Sequence, residues 1–256
     1  MKVFKRCVMG ALTAALLLCG CTHIDTPGDV LSAASLTQES SSKLQDGTYT
    51  AATKYLGPWG YGARLTVEVR QGIITKATFQ EIDNQGNKRP DTSWEDSDIS
   101  LRQVYAKLYS SFIENQSAEF DAVTGATETT DVFKALGLCV LTAATEGNTD
   151  TIATTDAYRQ TYTAESQPNA QGLAGQLSVT YEDGVITNVT YDEYENSNSR
   201  SASVAVKQSF TAMAKETLNN QNLAPLSSSP GSAEETSRYN ELLQVIAKQR
   251  VFFISN

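Results

Sequence analysis

The feature that constrains this chain most is an internal repeat. Residues 65–81 (LTVEVRQGIITKATFQE) and 177–193 (LSVTYEDGVITNVTYDE) align at an offset of 112 without a gap, and seven of the seventeen positions are identical. Both segments alternate, are rich in β-branched residues, and turn at Gln71-Gly72 or Asp183-Gly184. A pair ending in glycine between two alternating runs is a hairpin signal, because glycine accepts the positive φ that such turns need. Upstream, Tyr49-Thr50-Ala51 matches Tyr162-Thr163-Ala164 and predicts one further short strand in each half.

Each hairpin is followed by helical periodicity. Leu101, Val104, Tyr105, Leu108, Tyr109 and Phe112 recur at helical spacing after the first, and Val206, Phe210, Met213, Ala214 and Leu218 after the second. A second helix is predicted in each half, over 127–145 (Val132, Phe133, Leu136, Cys139, Val140, Ala143) and over 233–249 (Tyr239, Leu242, Leu243, Ile246). The polar stretch between the halves predicts a linker at 149–157. The expected fold class is therefore α+β, with two related small domains at 45–148 and 158–256. Each would be an antiparallel sheet containing the hairpin, with two helices packed on it.

The N-terminus reads as an address. Lys2, Lys5 and Arg6 precede a short apolar run at 7–19, too short to span a bilayer. Leu18-Cys19-Gly20-Cys21 resembles a bacterial lipobox. That resemblance implies cleavage after residue 20, lipid on the Cys21 sulfur, and a protein held at the extracytoplasmic face of the cell membrane. Residues 21–44 are rich in Ser and Thr and read as a tether. Of the four cysteines, Cys7 and Cys19 would be removed, and Cys139 lies in the apolar stripe of a predicted helix. No intramolecular disulfide is then expected. Removing Lys2, Lys5 and Arg6 takes the net charge from −9 to −12, which argues against nucleic acid as a partner. One histidine, His23, excludes a His-rich metal site. Glu95, Asp96 and Asp98 lack the spacing of an EF-hand, so no metal is expected there.

Chemistry concentrates between the two helices of the first half. Asp121-Ala122-Val123-Thr124-Gly125-Ala126-Thr127 predicts a turn that opens a helix, with Thr127 in its first turn. Backbone N–H groups at a helix start lack intrahelical partners and suit an anion such as phosphate. A hydroxyl there could hold a phosphate covalently.

These residues resemble the flavinylation motif of FMN-binding domains, Asp-x-x-Ser/Thr-Gly-Ala-Thr. Relatives include the flavin subunits of sodium-pumping NADH:quinone reductase and of the Rnf complex, and flavin lipoproteins of Gram-positive extracellular electron transfer. Asp46-Gly47-Thr48-Tyr49, Gly57-Pro58-Trp59-Gly60-Tyr61 and Asp83-Asn84-Gln85-Gly86-Asn87-Lys88 extend the resemblance. It implies one covalent FMN per chain on Thr127, transferred from FAD by a separate flavin transferase with release of AMP. Asp121, Thr124, Gly125 and Ala126 would be recognised by that transferase. Trp59 and Tyr61 are candidates for a wall against the flavin ring.

The second half departs from the motif. Residues 227–242 align on 121–136 at an offset of 106, but Asp121 becomes Ser227, Thr124 becomes Pro230 and Thr127 becomes Ala233. A degenerate second domain without covalent FMN is expected. The implied role is an electron carrier, not a stand-alone enzyme, and no residue of the chain is assigned as catalytic. Electrons would pass from a quinone-linked membrane donor to an extracellular acceptor or a partner reductase. Two other readings compete. One is a flavin-donor subunit for a separate fumarate- or urocanate-type flavoprotein. The other is a lipid-anchored two-module binding or structural protein without redox chemistry.

Overall fold

The computed structural model describes residues 43–91 and 99–253. The expectations for segment 1–20, for Cys7, Cys19 and Cys21, for nearly all of the tether, and for Glu95, Asp96 and Asp98 lie outside the described residues. Within them the chain is a mixed α+β protein with two four-stranded sheets and four α-helices. The first half contains β1 (Gly47–Thr53), β2 (Gly62–Arg70), β3 (Ile73–Ile82), α1 (Leu101–Asn115), α2 (Thr127–Glu146) and β4 (Ala153–Thr155). The second contains β5 (Gln160–Glu165), β6 (Leu173–Glu182), β7 (Val185–Glu195), β8 (Asn198–Ser199), α3 (Val204–Asn220) and α4 (Ala233–Gln249).

Both predicted hairpins form, and they are built alike. Arg70 faces Ile73 and Glu182 faces Val185 across two-residue turns. Both central residues have positive φ in each turn (Gln71 55°, Gly72 78°; Asp183 51°, Gly184 77°). This is the turn whose twist matches that of the flanking strands. Just beyond, the register shifts after Glu68–Lys76 and again after Thr180–Asn188, which leaves Thr75 and Thr187 as bulges at matching places. Helices α1 and α3 end in left-handed glutamines that clamp the hairpin beside the bulge. Ile74 N–H donates to Gln116 Oε1 (2.6 Å) and Gln116 Nε2 donates to the Ile74 carbonyl (3.0 Å). Gln221 makes the same pair with Ile186 (2.8 and 2.8 Å).

Alternation decides which sheet face is covered. In the first half Leu65, Val67, Val69, Ile74 and Phe79 point at Val104, Leu108, Phe112, Phe133 and Leu136 of α1 and α2. In the second half Leu177, Val179, Ile186 and Tyr191 meet Phe210, Met213, Tyr239, Leu243 and Ile246. The opposite faces carry hydroxyl and charged side chains, such as Thr50–Thr66 at 3.2 Å and Thr163–Ser178 at 2.9 Å. Cys139 is a buried free thiol within the first core.

One stretch departs from its sequence reading. Residues 153–155, inside the expected linker, pair in parallel with 51–53 and complete the first sheet in the order β3-β2-β1-β4. Tyr158 is buried in the same core. Three residues of Ala-Thr-Thr carry no readable period, and long-range pairing alone makes them a strand. The chain end also returns to the first half. Leu56 N–H donates to the Val251 carbonyl and Phe253 N–H to the Lys54 carbonyl (2.9 and 3.1 Å). Phe253 is buried against Ala52, Leu56 and Ile82. The Arg250 guanidinium lies 3.6 Å from the ring centre of Tyr55 and 3.9 Å from that of Tyr181, between aromatics of the two halves.

Candidate functional site

The two helices of the first half run so that their starts lie together. Gln45 N–H, just before β1, bonds the carbonyl of Ala144 near the end of α2 (2.8 Å). Helix α2 therefore begins at the far end of β1. Helix α1 ends on Ile74, and Tyr105 near its start reaches Glu81 near the end of β3. The loop after β1, the segment after β3 and the starts of both helices thus share one end of the sheet.

At that end, residues 121–127 form a tight, ordered approach to α2. Val123 and Ala126 are buried, while Asp121, Ala122, Thr124, Gly125 and Thr127 are exposed. Ala126 N–H donates to the Val123 carbonyl (2.8 Å), which closes a turn through Gly125 at φ +80°. A Cβ on Gly125 would meet nothing closer than Ile99 Cγ2 at 4.0 Å, so glycine is required by backbone conformation and not by space. Thr130, fully buried, ties this turn to the helix. Its Oγ1 accepts from Val123 N–H (3.2 Å) and donates to the Ala126 carbonyl (2.8 Å).

Thr127 is the first residue of α2, and its cap residue, Ala126, has no side chain able to close the helix start. The starts of α1 and α4 are both closed by capping boxes, Ser100 with Gln103 and Ser232 with Glu235. The α2 start is therefore open where the exposed Thr127 hydroxyl stands. Beside it, loss of hydration raises the pKa of the Glu128 carboxyl, opposed by the charge of Arg159 and reinforced by Asp131. Arg159 follows β4 and Tyr158, so the strand unforeseen from sequence brings a cation near the α2 start.

Trp59 and Tyr61 sit in the loop after β1. Gly57 N–H bonds the Tyr61 carbonyl (2.8 Å) and Gly60 N–H the Gly57 carbonyl (2.9 Å). Trp59 is 69% exposed, and the Arg89 guanidinium lies 5.9 Å from its ring centre. Arg89 is held by both Glu81 oxygens at 3.1 Å, and the Tyr105 hydroxyl donates to the same carboxylate. Burial, then the Glu81 charge, pushes the Tyr105 hydroxyl far above its ordinary pKa. The structure thus places both aromatics at the site end of the sheet. Among the described residues it shows no hydrogen bond or ring contact from either aromatic to residues 121–127. Sequence reading missed Thr130, Arg159 and the Glu81–Arg89–Tyr105 group. Three of them left a trace without a role: Glu81 as an identity in the repeat, Tyr105 in the apolar stripe of the first helix, and Thr130 as the match of Thr236.

The second half shows what the site lacks there. Ala233 replaces Thr127, the capping box closes the helix start, and Gly231 is not among the residues with positive φ. The Glu81 counterpart, Glu193, is fully buried and is held by Arg200, Arg238 and the Tyr191 hydroxyl, while Arg200 also pairs with Glu235 at 3.0 Å. The second helix start is thereby tied into an ionic cluster. Among the described residues no group of three His, Cys, Asp or Glu could hold a metal ion, and no helix is long and apolar enough to cross a membrane.

No family model matches this chain, and neither does any curated protein. Two solved structures are similar to part of it. One is a Clostridium perfringens protein, 32% identical, spanning 43% of this chain and 98% of that one at a TM-score of 0.39. The other is a Clostridium thermocellum protein, 16% identical, spanning 43% and 95% at 0.29.

Proposed function

We propose that this chain is a lipid-anchored extracytoplasmic electron carrier of the FMN-binding-domain type, with FMN joined through its phosphate to Thr127. One observation carries the reading. The hydroxyl that the flavinylation motif singles out is exposed at a helix start left open by its cap residue, and the second copy has neither the hydroxyl nor the opening. Residues 121–127 fit a phosphate ester at that place. The turn at Gly125 is exposed to a modifying enzyme. The N–H groups of the first turn of α2 face the anion, and Arg159 adds positive charge nearby. Trp59, backed by Arg89, offers an exposed indole face for a flat ring.

In this reading the bound flavin supplies redox chemistry by accepting two electrons and releasing them singly. The chain anchors the phosphate and keeps the carrier at the membrane through Cys21. A transferase using FAD loads Thr127. The electron source is a quinone-linked membrane donor, and the acceptor is extracellular or a partner reductase. The second half carries no covalent flavin.

The test is intact mass of the chain co-expressed with a flavin transferase. One adduct of FMN less water, absent from Thr127→Ala, supports the reading. A colourless, unmodified protein would favour a binding or structural module instead.

A further inference from the structure

The two copies of the motif differ at a buried hydroxyl outside its seven residues. In the first half, three hydrogen bonds form a closed ring: Val123 N–H to Thr130 Oγ1 (3.2 Å), Thr130 Oγ1 to the Ala126 carbonyl (2.8 Å), and Ala126 N–H to the Val123 carbonyl (2.8 Å). Thr124 and Gly125 lie within this ring on the exposed side, and Thr127 follows it directly. In the second half the same threonine is kept. Thr236 is buried, and its backbone N–H still bonds the Ser232 carbonyl at 3.0 Å. Its Oγ1 has no partner among the described residues. A buried hydroxyl left unpaired is unfavourable, so its presence needs a reason. The loop that would partner it has changed: Pro230 stands where Thr124 stands, Gly231 has lost the left-handed conformation of Gly125, and Ser232 is bonded to Glu235 instead.

We infer that Thr130 is the positioning residue of the acceptor loop. Its hydroxyl holds Val123–Ala126 in the one turn that presents Thr127 outward, and the unpaired Thr236 hydroxyl marks the same device without its loop. This rests on the reading of Thr127 as the flavin acceptor. Thr130 itself is fully buried, away from solvent. Its effect would be conformational: without the ring, the presenting turn becomes one of several loop states, and loading slows by the fraction lost.

The experiment compares wild type, Thr130→Val, Thr130→Ser and Thr236→Val in the full chain. Two readouts are used. One is the initial rate of FMN incorporation with a flavin transferase and saturating FAD. The other is amide hydrogen exchange at Val123 before loading. Losing the hydroxyl bonds should slow loading about tenfold in Thr130→Val and speed Val123 exchange about as much, a factor set by one to two net hydrogen bonds. Thr130→Ser should restore both, and Thr236→Val should change neither. A merely structural role would change melting without this local exchange signature or serine rescue. Wild-type loading and unchanged Val123 exchange in Thr130→Val would overturn the inference. If Thr130→Val does not fold, Val123 exchange in wild type decides: exchange at the rate of an open loop overturns it. If wild type takes up no FMN at all, the acceptor reading fails, while the Val123 exchange still reports whether Thr130 holds the turn.

Discussion

Gly125 offers a clean separation of backbone strain from crowding. Its φ is +80°, and the nearest outside atom to a Cβ built there is Ile99 Cγ2 at 4.0 Å. Space is therefore open, and a side chain meets only the conformational penalty. For an ordinary L-residue in the left-handed region that penalty is about 1–2 kcal/mol. Asparagine visits this region more readily and should cost less than alanine although it is larger. Valine, branched at Cβ, should cost most. The expected order of destabilisation is Gly, Asn, Ala, Val, with Gly125→Ala near 1–2 kcal/mol. Urea unfolding of the unloaded chain measures it from the shift in midpoint at constant slope. The matching substitution Gly231→Ala tests the contrast. There φ is not positive, and the new Cβ meets Glu235 Oε2 (2.9 Å), which is held by the Ser232 N–H, and the flexible end of Met213 (3.3 Å), so any cost there is crowding and not backbone strain. A cost that rises with side-chain volume at 125, with Asn worse than Ala, would refute the strain argument.

Two further outcomes follow from contacts between distant parts of the chain. Arg238→Met takes one of two guanidinium partners from the fully buried Glu193 while Arg200 stays paired, so thermal or urea unfolding should show a clear loss that stays below the about 3–5 kcal/mol of an uncompensated buried charge. Phe253 presses on Gly62 so closely that a Cβ at 62 would lie 2.2 Å from its ring. Gly62→Ala should be strongly destabilising in wild type and much milder in a Phe253→Ala background, a coupling that a double-mutant cycle measures directly.

Local signals made much of this molecule legible in advance. The hairpins were readable because alternation and a glycine turn are properties of neighbouring residues. The helices were readable because 3.6-residue periodicity is too. Thr127 was placed at a helix start by the same local logic, and it stands exposed there. What escaped depends on pairings that no local period encodes, some across a turn and some far apart in sequence. β4 is three residues defined only by their partner strand. Gln116 and Gln221 lie 105 apart, off the 112 offset of the hairpins, so a gapless comparison separates two identical clamps. Glu81 and Glu193 match in the repeat, and each finds a cation a few residues on, Arg89 and Arg200, but the second cation on buried Glu193, Arg238, lies 45 residues away. Thr130 escaped because the donor it binds is seven residues back, across the turn that it shapes.

The central claim is that Thr127 alone carries one flavin. Its most direct measurement is intact mass with peptide mapping after co-expression with a flavin transferase in cells replete with FAD. The account predicts one adduct of FMN less water, located on Thr127, lost in Thr127→Ala, and none on residues 158–253. An adduct that survives Thr127→Ala, or a second one in that later segment, would contradict it.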